Sequence, residues 1–196
     1  MSASLAGRRV LVSAGPTYED IDPVRFLGNR SSGRMGFALA AAAASLGAET
    51  VLVAGPVRLE TPPGVRRIDV RSAADMHEAV LSGLPADLYI GAAAVADWTP
   101  RGVASHKLKK EPGVDTFTLV LVRTADILAD VAAHPSRPRC VVGFAAETGE
   151  DADIARYARG KLERKRVDFI CANRVGVSGS GFEAEDNALQ VFWKEG

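Results

Sequence analysis

FLGNRSSGRMGFALAAAAASLGAETVLVAGPV, running from Phe26 to Val57, carries the decision about the fold. A polar, glycine-bearing turn opens an alanine-rich helical stretch from about Ser32 to Leu46, and Gly47 stops it. Glycine just past a helix takes the left-handed conformation without steric cost, so it is a common stop signal. The β-branched run ETVLVAG follows, from Glu49 to Gly55. Turn, helix and strand in this order bring a helix N-terminus to the edge of a sheet, where free backbone N–H groups can hold a phosphate or carboxylate. Ser31, Ser32 and Gly33 offer such amides, Arg25, Arg30 and Arg34 offer charge, and Asn29 offers a neutral donor and acceptor. An ordinary capped helix with solvated arginines accounts for this segment, taken alone, equally well.

Outward from that stretch, strands and helices alternate. RRVLVSA (Arg8 to Ala14) reads as a buried strand, and a long connection runs from Gly15 to Arg30. RRIDV is a third strand after the turn Pro62 to Gly64, and SAADMHEAVLSG is a helix with a Ser72 cap, an acidic first turn and a terminal glycine. DLYIGAAAVAD is wholly apolar, as a parallel strand covered on both faces requires. Trp98 to Gly113 is loop-like and holds the basic run KLKK, and TFTLVLVR alternates as a strand. A helix from about Ala125 to Ala133, the strand CVVGFAA, a charged helix from Asp151 to Arg166, the strand DFICAN and an edge strand ALQVFW complete the pattern. The expectation is an α/β fold: a three-layer, Rossmann-like, mainly parallel sheet with helices on both faces.

The 196 residues suit a single domain spanning 1–196. With 24 basic and 24 acidic side chains the net charge is zero, so no global field draws nucleic acid. No apolar run reaches the ~18–20 residues that cross a bilayer, and the start MSASLAGRR is no secretory signal. A cytoplasmic protein with no membrane partner is expected. Cys140 and Cys171 sit beside apolar runs and read as buried structural thiols. His77, His106 and His134 share no ligand spacing and read as surface or capping residues.

A nicotinamide-dependent reductase fits the alternation and a Tyr-x-x-x-Lys at Tyr157 and Lys161, but little else. The dinucleotide fingerprint needs its glycines directly after the first strand and an acid ending the second. Here the first turn is Gly15-Pro16-Thr17, Gly33 and Gly36 come later, and Val53-Ala54-Gly55-Pro56 holds no acid. The reductase serine is also missing, since Phe144 to Ala146 occupy that region.

The stretches VSAGPTYEDIDPVRFLGNRSSGRMGFALA, AAAVADW, KLKK, DILA, VVGFAAET, YARGKLERKRVD, ICAN and NALQVFW together resemble the bacterial, CTP-dependent phosphopantothenate–cysteine ligases, in order and over nearly the whole chain. The resemblance implies joining of 4′-phosphopantothenate to cysteine through an acyl-cytidylate, with CTP as co-substrate and Mg2+ (or Mn2+) as cofactor. It implies that Lys107, first lysine of KLKK, serves activation by CTP from a mobile loop. Lys161 and Lys165, four apart and so on one helix face, would hold the phosphates. Gly91, Ala92, Ala93, Ala94, Asp97, Phe144 and the segment Ala125, Asp126, Ile127 and Leu128 would complete the CTP site, although TADIL stands where many relatives have NPDI. Asn29 would handle the acyl intermediate and Arg25 the phosphorylated substrate, so that with Ser31, Ser32 and Gly33 the NRSSGRMG segment holds the pantothenate side. Arg34 stands for the lysine common in relatives, and no metal ligands are implied. A homodimer using a small strand extension is implied, with a phosphopantothenoylcysteine decarboxylase fused or separate. By the resemblance, the expectation is a ligase domain without the flavin decarboxylase half and with a shortened C-terminus. A catalytically silent CTP-binding subunit of the same fold is the alternative.

Overall fold

Arg9–Ala14 forms β1, the strand on which both layers of helices are built. Val10, Val12 and Ala14 face one side and Leu11 and Ser13 the other, all of them buried. The computed structural model describes residues 4–110, 112–113, 115–147, 150–174 and 188–194. Glu111 of the basic loop and Thr148 and Asn187 of the motifs above lie outside the described residues.

After β1 come β2 (Tyr18–Asp20), β3 (Phe26–Gly28), α1 (Arg34–Ser45), β4 (Glu49–Ala54), β5 (Val65–Asp69), α2 (Ala73–Ser82) and β6 (Leu88–Gly91). The second half holds β7 (Trp98–Pro100), β8 (Leu121–Arg123), α3 (Ile127–Ala133), β9 (Cys140–Glu147), α4 (Asp151–Lys165), β10 (Phe169–Arg174) and β11 (Leu189–Trp193). Seven strands form one sheet in the order β11-β10-β9-β6-β1-β4-β5. All pairs in it are parallel except β10 with β11, so the edge strand is antiparallel. Two small antiparallel pairs, β2-β3 and β7-β8, stand apart from it.

Helices cover both faces, as expected. On one face α1 lays Phe37, Ala40 and Ala43 on Val10, Val12, Leu52 and Ala54. On the other, α2, α3 and α4 bury Met76, Val80, Ile127, Val131, Ile154 and Leu162 against Leu11, Val53, Val141 and Ile170. Each fully buried aliphatic side chain contributes about 1.5–3 kcal/mol relative to exposure. Small alanines on α1 bring its axis close to the strands. At the end of β4 the contact is closer still, because a Cβ on Gly55 would lie 1.7 Å from the Pro16 carbonyl oxygen. The Ser72 cap is present as a full capping box with Asp75, and Gly83 closes α2.

Four boundaries differ from the sequence reading. The connection from Gly15 to Arg30 contains the β2-β3 hairpin, on which Tyr18 and Phe26 stack at 3.9 Å. The apolar run after Leu88 leaves the sheet at Gly91, and Ala94 then follows β1 outward by an isolated bridge to Pro16. Its residues stay half-buried under neighbouring segments, so their apolarity marks burial and not a strand. Within TFTLVLVR only Leu121–Arg123 is strand, because its partner Trp98–Pro100, expected as loop, is equally short. Finally, α1 begins at Arg34 rather than near Ser32, with Gly33 as its N-cap.

Candidate functional site

β1 pairs with β4 on one side and β6 on the other, so chain connections leave in opposite directions at its carboxyl end. Such a switch point opens a crevice beyond the strands. Here it is a cleft of about 1040 Å³.

One wall is the entry to α1. Gly33 has φ +76°, a left-handed conformation, and a Cβ there would also press on Val57 Cγ1 at 3.0 Å. Only glycine meets both conditions without strain. Gly33 brings no side-chain cap to α1, and Ser31 Oγ accepts from Gly33 N at 3.3 Å. Next to it, Asn29 Nδ2 donates to the carbonyls of Ala94 (2.9 Å) and Val95 (3.3 Å), pinning the loop after β6.

The other wall is α4 with the N-terminus of α3. Lys161 Nζ donates to the Phe144 carbonyl at 2.8 Å, and Lys165 Nζ to Asp126 Oδ1 at 2.9 Å. Asp126 is itself the N-cap of α3 and accepts from Ala129 N at 3.1 Å. Burial works to raise its carboxyl, but the bonds from Lys165 and Ala129 and the Lys161 charge outweigh it and hold the group below its ordinary value. Across the floor, Ser13 Oγ and Tyr89 Oη lie 2.9 Å apart, and burial pushes the Tyr89 hydroxyl up to about 12. Arg30, Arg34, Arg123, Lys161 and Lys165 line the cleft against two carboxylates, Asp97 and Asp126. That excess of cations suits a polyanion.

Sixteen of the expected site residues meet in this one cleft: Asn29, Ser31, Ser32, Gly33, Gly91, Ala92, Ala93, Ala94, Asp97, Ala125, Asp126, Ile127, Leu128, Phe144, Lys161 and Lys165. Arg25 and Lys107 are not among its lining. The Arg25 guanidinium bonds Asp22 and the Leu108 carbonyl, and Lys107 is exposed on the loop. The sequence reading missed Ser13, Tyr89, Trp98, Arg123 and Asn173, all of which line the cleft. Arg123 carried a signal, a cation directly before TADIL, and its guanidinium lies 5.6 Å from the Trp98 ring centre. Ser13 and Tyr89 carried none, because two hydroxyls 76 residues apart meet only through the strand order.

Among the described residues, no cluster of three or more His, Cys, Asp or Glu side chains forms a metal site. His77 pairs with Asp130 at 2.8 Å, His106 with Ser105, and His134 caps α3, in keeping with surface and capping roles. Cys140 and Cys171 are half-buried rather than buried, and burial raises both thiols, which keeps them protonated and unreactive.

Residues 5–196 match the family described as the DNA/pantothenate metabolism flavoprotein C-terminal domain. The coenzyme A biosynthesis bifunctional protein CoaBC of Vibrio cholerae is 54% identical over 193 residues, covering 98% of this chain and 48% of that protein. CoaBC of Bacillus subtilis is 51% identical over 197 residues, covering 100% of this chain and 47% of that protein. A crystal structure of the C-terminal domain of CoaBC aligns with a TM-score of 0.80 at 39% identity, covering 100% of this chain and 86% of that one. The chain thus spans about half the length of the curated relatives it matches.

Proposed function

This chain belongs to the DNA/pantothenate metabolism flavoprotein C-terminal domain family, and from that membership we propose that it joins 4′-phosphopantothenate to L-cysteine using CTP. The observation that carries the proposal is the cleft itself, where a helix N-terminus faces two lysines of α4 across a cation-rich lining. A carboxylate substrate and a triphosphate both need that complement of N–H groups and positive charge.

In the first step a carboxylate oxygen of 4′-phosphopantothenate attacks the α-phosphorus of CTP, and pyrophosphate leaves. Lys161 and Lys165 hold the phosphates, and Lys107 reaches from its loop to take up the charge that develops on the leaving group. In the second step the cysteine nitrogen attacks the acyl carbon and CMP leaves. Ser31, Ser32 and Gly33 present backbone amides to the pantothenate side, and Asn29 sets their distance from the loop Ala94–Val95. Asp97, exposed in the cleft lining, contacts the nucleotide, and a Mg2+ (or Mn2+) arriving with CTP would neutralise phosphate charge.

Incubation with 4′-phosphopantothenate, CTP and Mg2+, with and without cysteine, tests the reading by mass spectrometry. Pyrophosphate and an acyl-cytidylate, converted by cysteine to phosphopantothenoylcysteine and CMP, are the expected result. CTP binding without pyrophosphate would replace it with the silent subunit. Asn29→Asp probes the second step. A carboxylate cannot donate to the Ala94 and Val95 carbonyls and would face both with negative charge. Product formation should fall about 10- to 100-fold, from ~1.5–3 kcal/mol at a charged hydrogen-bonding position, with CTP affinity changed less than about threefold. Unchanged turnover would remove Asn29 from the site.

The β7-β8 pair and its loop expose Trp98, Val103, Phe117 and Val120, an apolar surface suited to a second copy of the chain. Gel filtration at micromolar concentration should give a dimer, and a monomer would exclude it. The remaining half of a bifunctional protein would be the phosphopantothenoylcysteine decarboxylase. No helix among the described residues is long and apolar enough to cross a membrane.

A further inference from the structure

Asp22 is a carboxylate whose side chain is wholly buried, although it lies in the turn of a surface hairpin. Its Oδ1 accepts from the backbone N–H groups of Val24 and Arg25, both at 2.8 Å. Those two bonds suffice to make the turn. Oδ2 does something else: it accepts from Arg25 Nε (3.0 Å) and Nη2 (2.5 Å), and from the N–H of Leu108 at 3.1 Å, 86 residues away. Arg25 Nη2 then donates to the Leu108 carbonyl at 2.9 Å. Both backbone polar groups of Leu108 are therefore held by the Asp22–Arg25 pair. Four residues earlier, Ala104 N donates to the Ile21 carbonyl at 3.0 Å, so the same turn grips the loop twice. Lys107 lies between the two grips, and its side chain is exposed, like those of Lys109 and Lys110.

We infer that Asp22, acting through Arg25, is a positioning residue that seats the lysine loop and so fixes where Lys107 is presented. The inference rests on the reading of Lys107 as the activating lysine. Charge-assisted bonds to a buried carboxylate are among the stronger ones in proteins, and the Arg25 guanidinium holds the Asp22 carboxyl well below the usual carboxylate range, with the Leu108, Val24 and Arg25 amides adding to it against burial. The seat therefore stays charged throughout neutral pH. It also gives the Arg25 guanidinium a holding part in place of a free one: its Nη2 already bridges Asp22 to Leu108. The arrangement leaves the side chain of Lys107 exposed while its backbone is registered against the hairpin.

Asp22→Asn keeps the size of the side chain and removes the charge from both Arg25 and Leu108. Trypsin cleavage after Lys107, Lys109 and Lys110, located by mass spectrometry, should accelerate about tenfold or more as the loop is released. Pyrophosphate release should lose about 10- to 100-fold in kcat, with KM for CTP moved less than about threefold, because misplacing a reacting group costs rate before binding. Asp20→Asn is the matched control: it breaks the Arg71 pair on the same hairpin without touching the loop, and neither readout should change. Amide hydrogen exchange on the unmutated protein adds a measurement independent of any variant's folding, with Leu108 protected and Lys109 and Lys110 not. A wild-type cleavage rate in Asp22→Asn, an unprotected Leu108, or faster cleavage with unchanged kcat would each overturn the inference. If the unmutated protein released no pyrophosphate at all, the ligase reading would fall, while the cleavage and exchange results would still decide whether Asp22 seats the loop.

Discussion

Lys107→Gln is expected to slow pyrophosphate release by about 10²–10³-fold while leaving thermal unfolding where it was. The magnitude is that of removing one preorganised group from the point where charge develops in a transition state. The unchanged stability follows from the structure. Lys107 is exposed, and no ion pair holds it among the described residues. The seat beneath it uses backbone groups of Leu108, which a glutamine at position 107 leaves in place. Glutamine preserves length and hydrogen bonding, so the loss isolates the charge. Stopped-time assays of pyrophosphate with CTP and 4′-phosphopantothenate read the first step, and addition of preformed acyl-cytidylate with cysteine reads the second. A variant slowed equally in both steps would mean that Lys107 supports the site in general and does not serve activation.

Gly55→Ala is expected to destabilise the fold by more than the ~1–3 kcal/mol of ordinary overpacking. The added Cβ would lie 1.7 Å from Pro16 O and 2.9 Å from Pro16 C, both backbone atoms that have no rotamer by which to retreat. Relief requires separating the exits of β1 and β4. That disturbs the Ala14–Ala54 pairing and the bond from Gly55 N to the Ala14 carbonyl, and pulls on the bond from Ala94 N to the Gly15 carbonyl. The cleft would then open along with the sheet. Urea denaturation monitored by circular dichroism should show a large fall in midpoint or no cooperative transition. Gly160→Ala on the exposed face of α4 is the comparison, because nothing lies within 4 Å of its added Cβ. That change should raise stability by up to about 1 kcal/mol through helix propensity. Similar midpoints for the two variants would mean that the crossing at Pro16 yields more easily than its geometry implies.

Much of this architecture was legible in the residues because the central parallel strands carry apolar runs and the helices carry explicit stops at Gly47 and Gly83. What was not legible depended on partners. Trp98–Pro100 and Leu121–Arg123 become strands because they pair with each other, and neither stretch announces its partner. The alanines after Gly91 read as strand because burial and strand have the same composition there. At the site, the helix-face spacing of Lys161 and Lys165 was visible, but their acceptors, the Phe144 carbonyl and Asp126, were not. Asp22 passed unnoticed because an Asp-Pro pair reads as a turn, and nothing in the sequence links it to Leu108.

The two margins of the seven-stranded sheet differ in a way that bears on self-association. At β5 the strand reads VRRID, and Arg67 draws the preceding segment against it through bonds to the Leu59 and Val57 carbonyls at 2.7 and 3.4 Å. Charge within the strand itself discourages another chain from adding there. At β11 the strand reads LQVFW, holds no charged residue, and leaves Leu189, Val191 and Trp193 exposed. Among the described residues nothing pairs with the outer side of β11, so copies that misassemble in concentrated refolding are expected to meet there, and Val191→Lys should raise the protein concentration at which light scattering first detects aggregates.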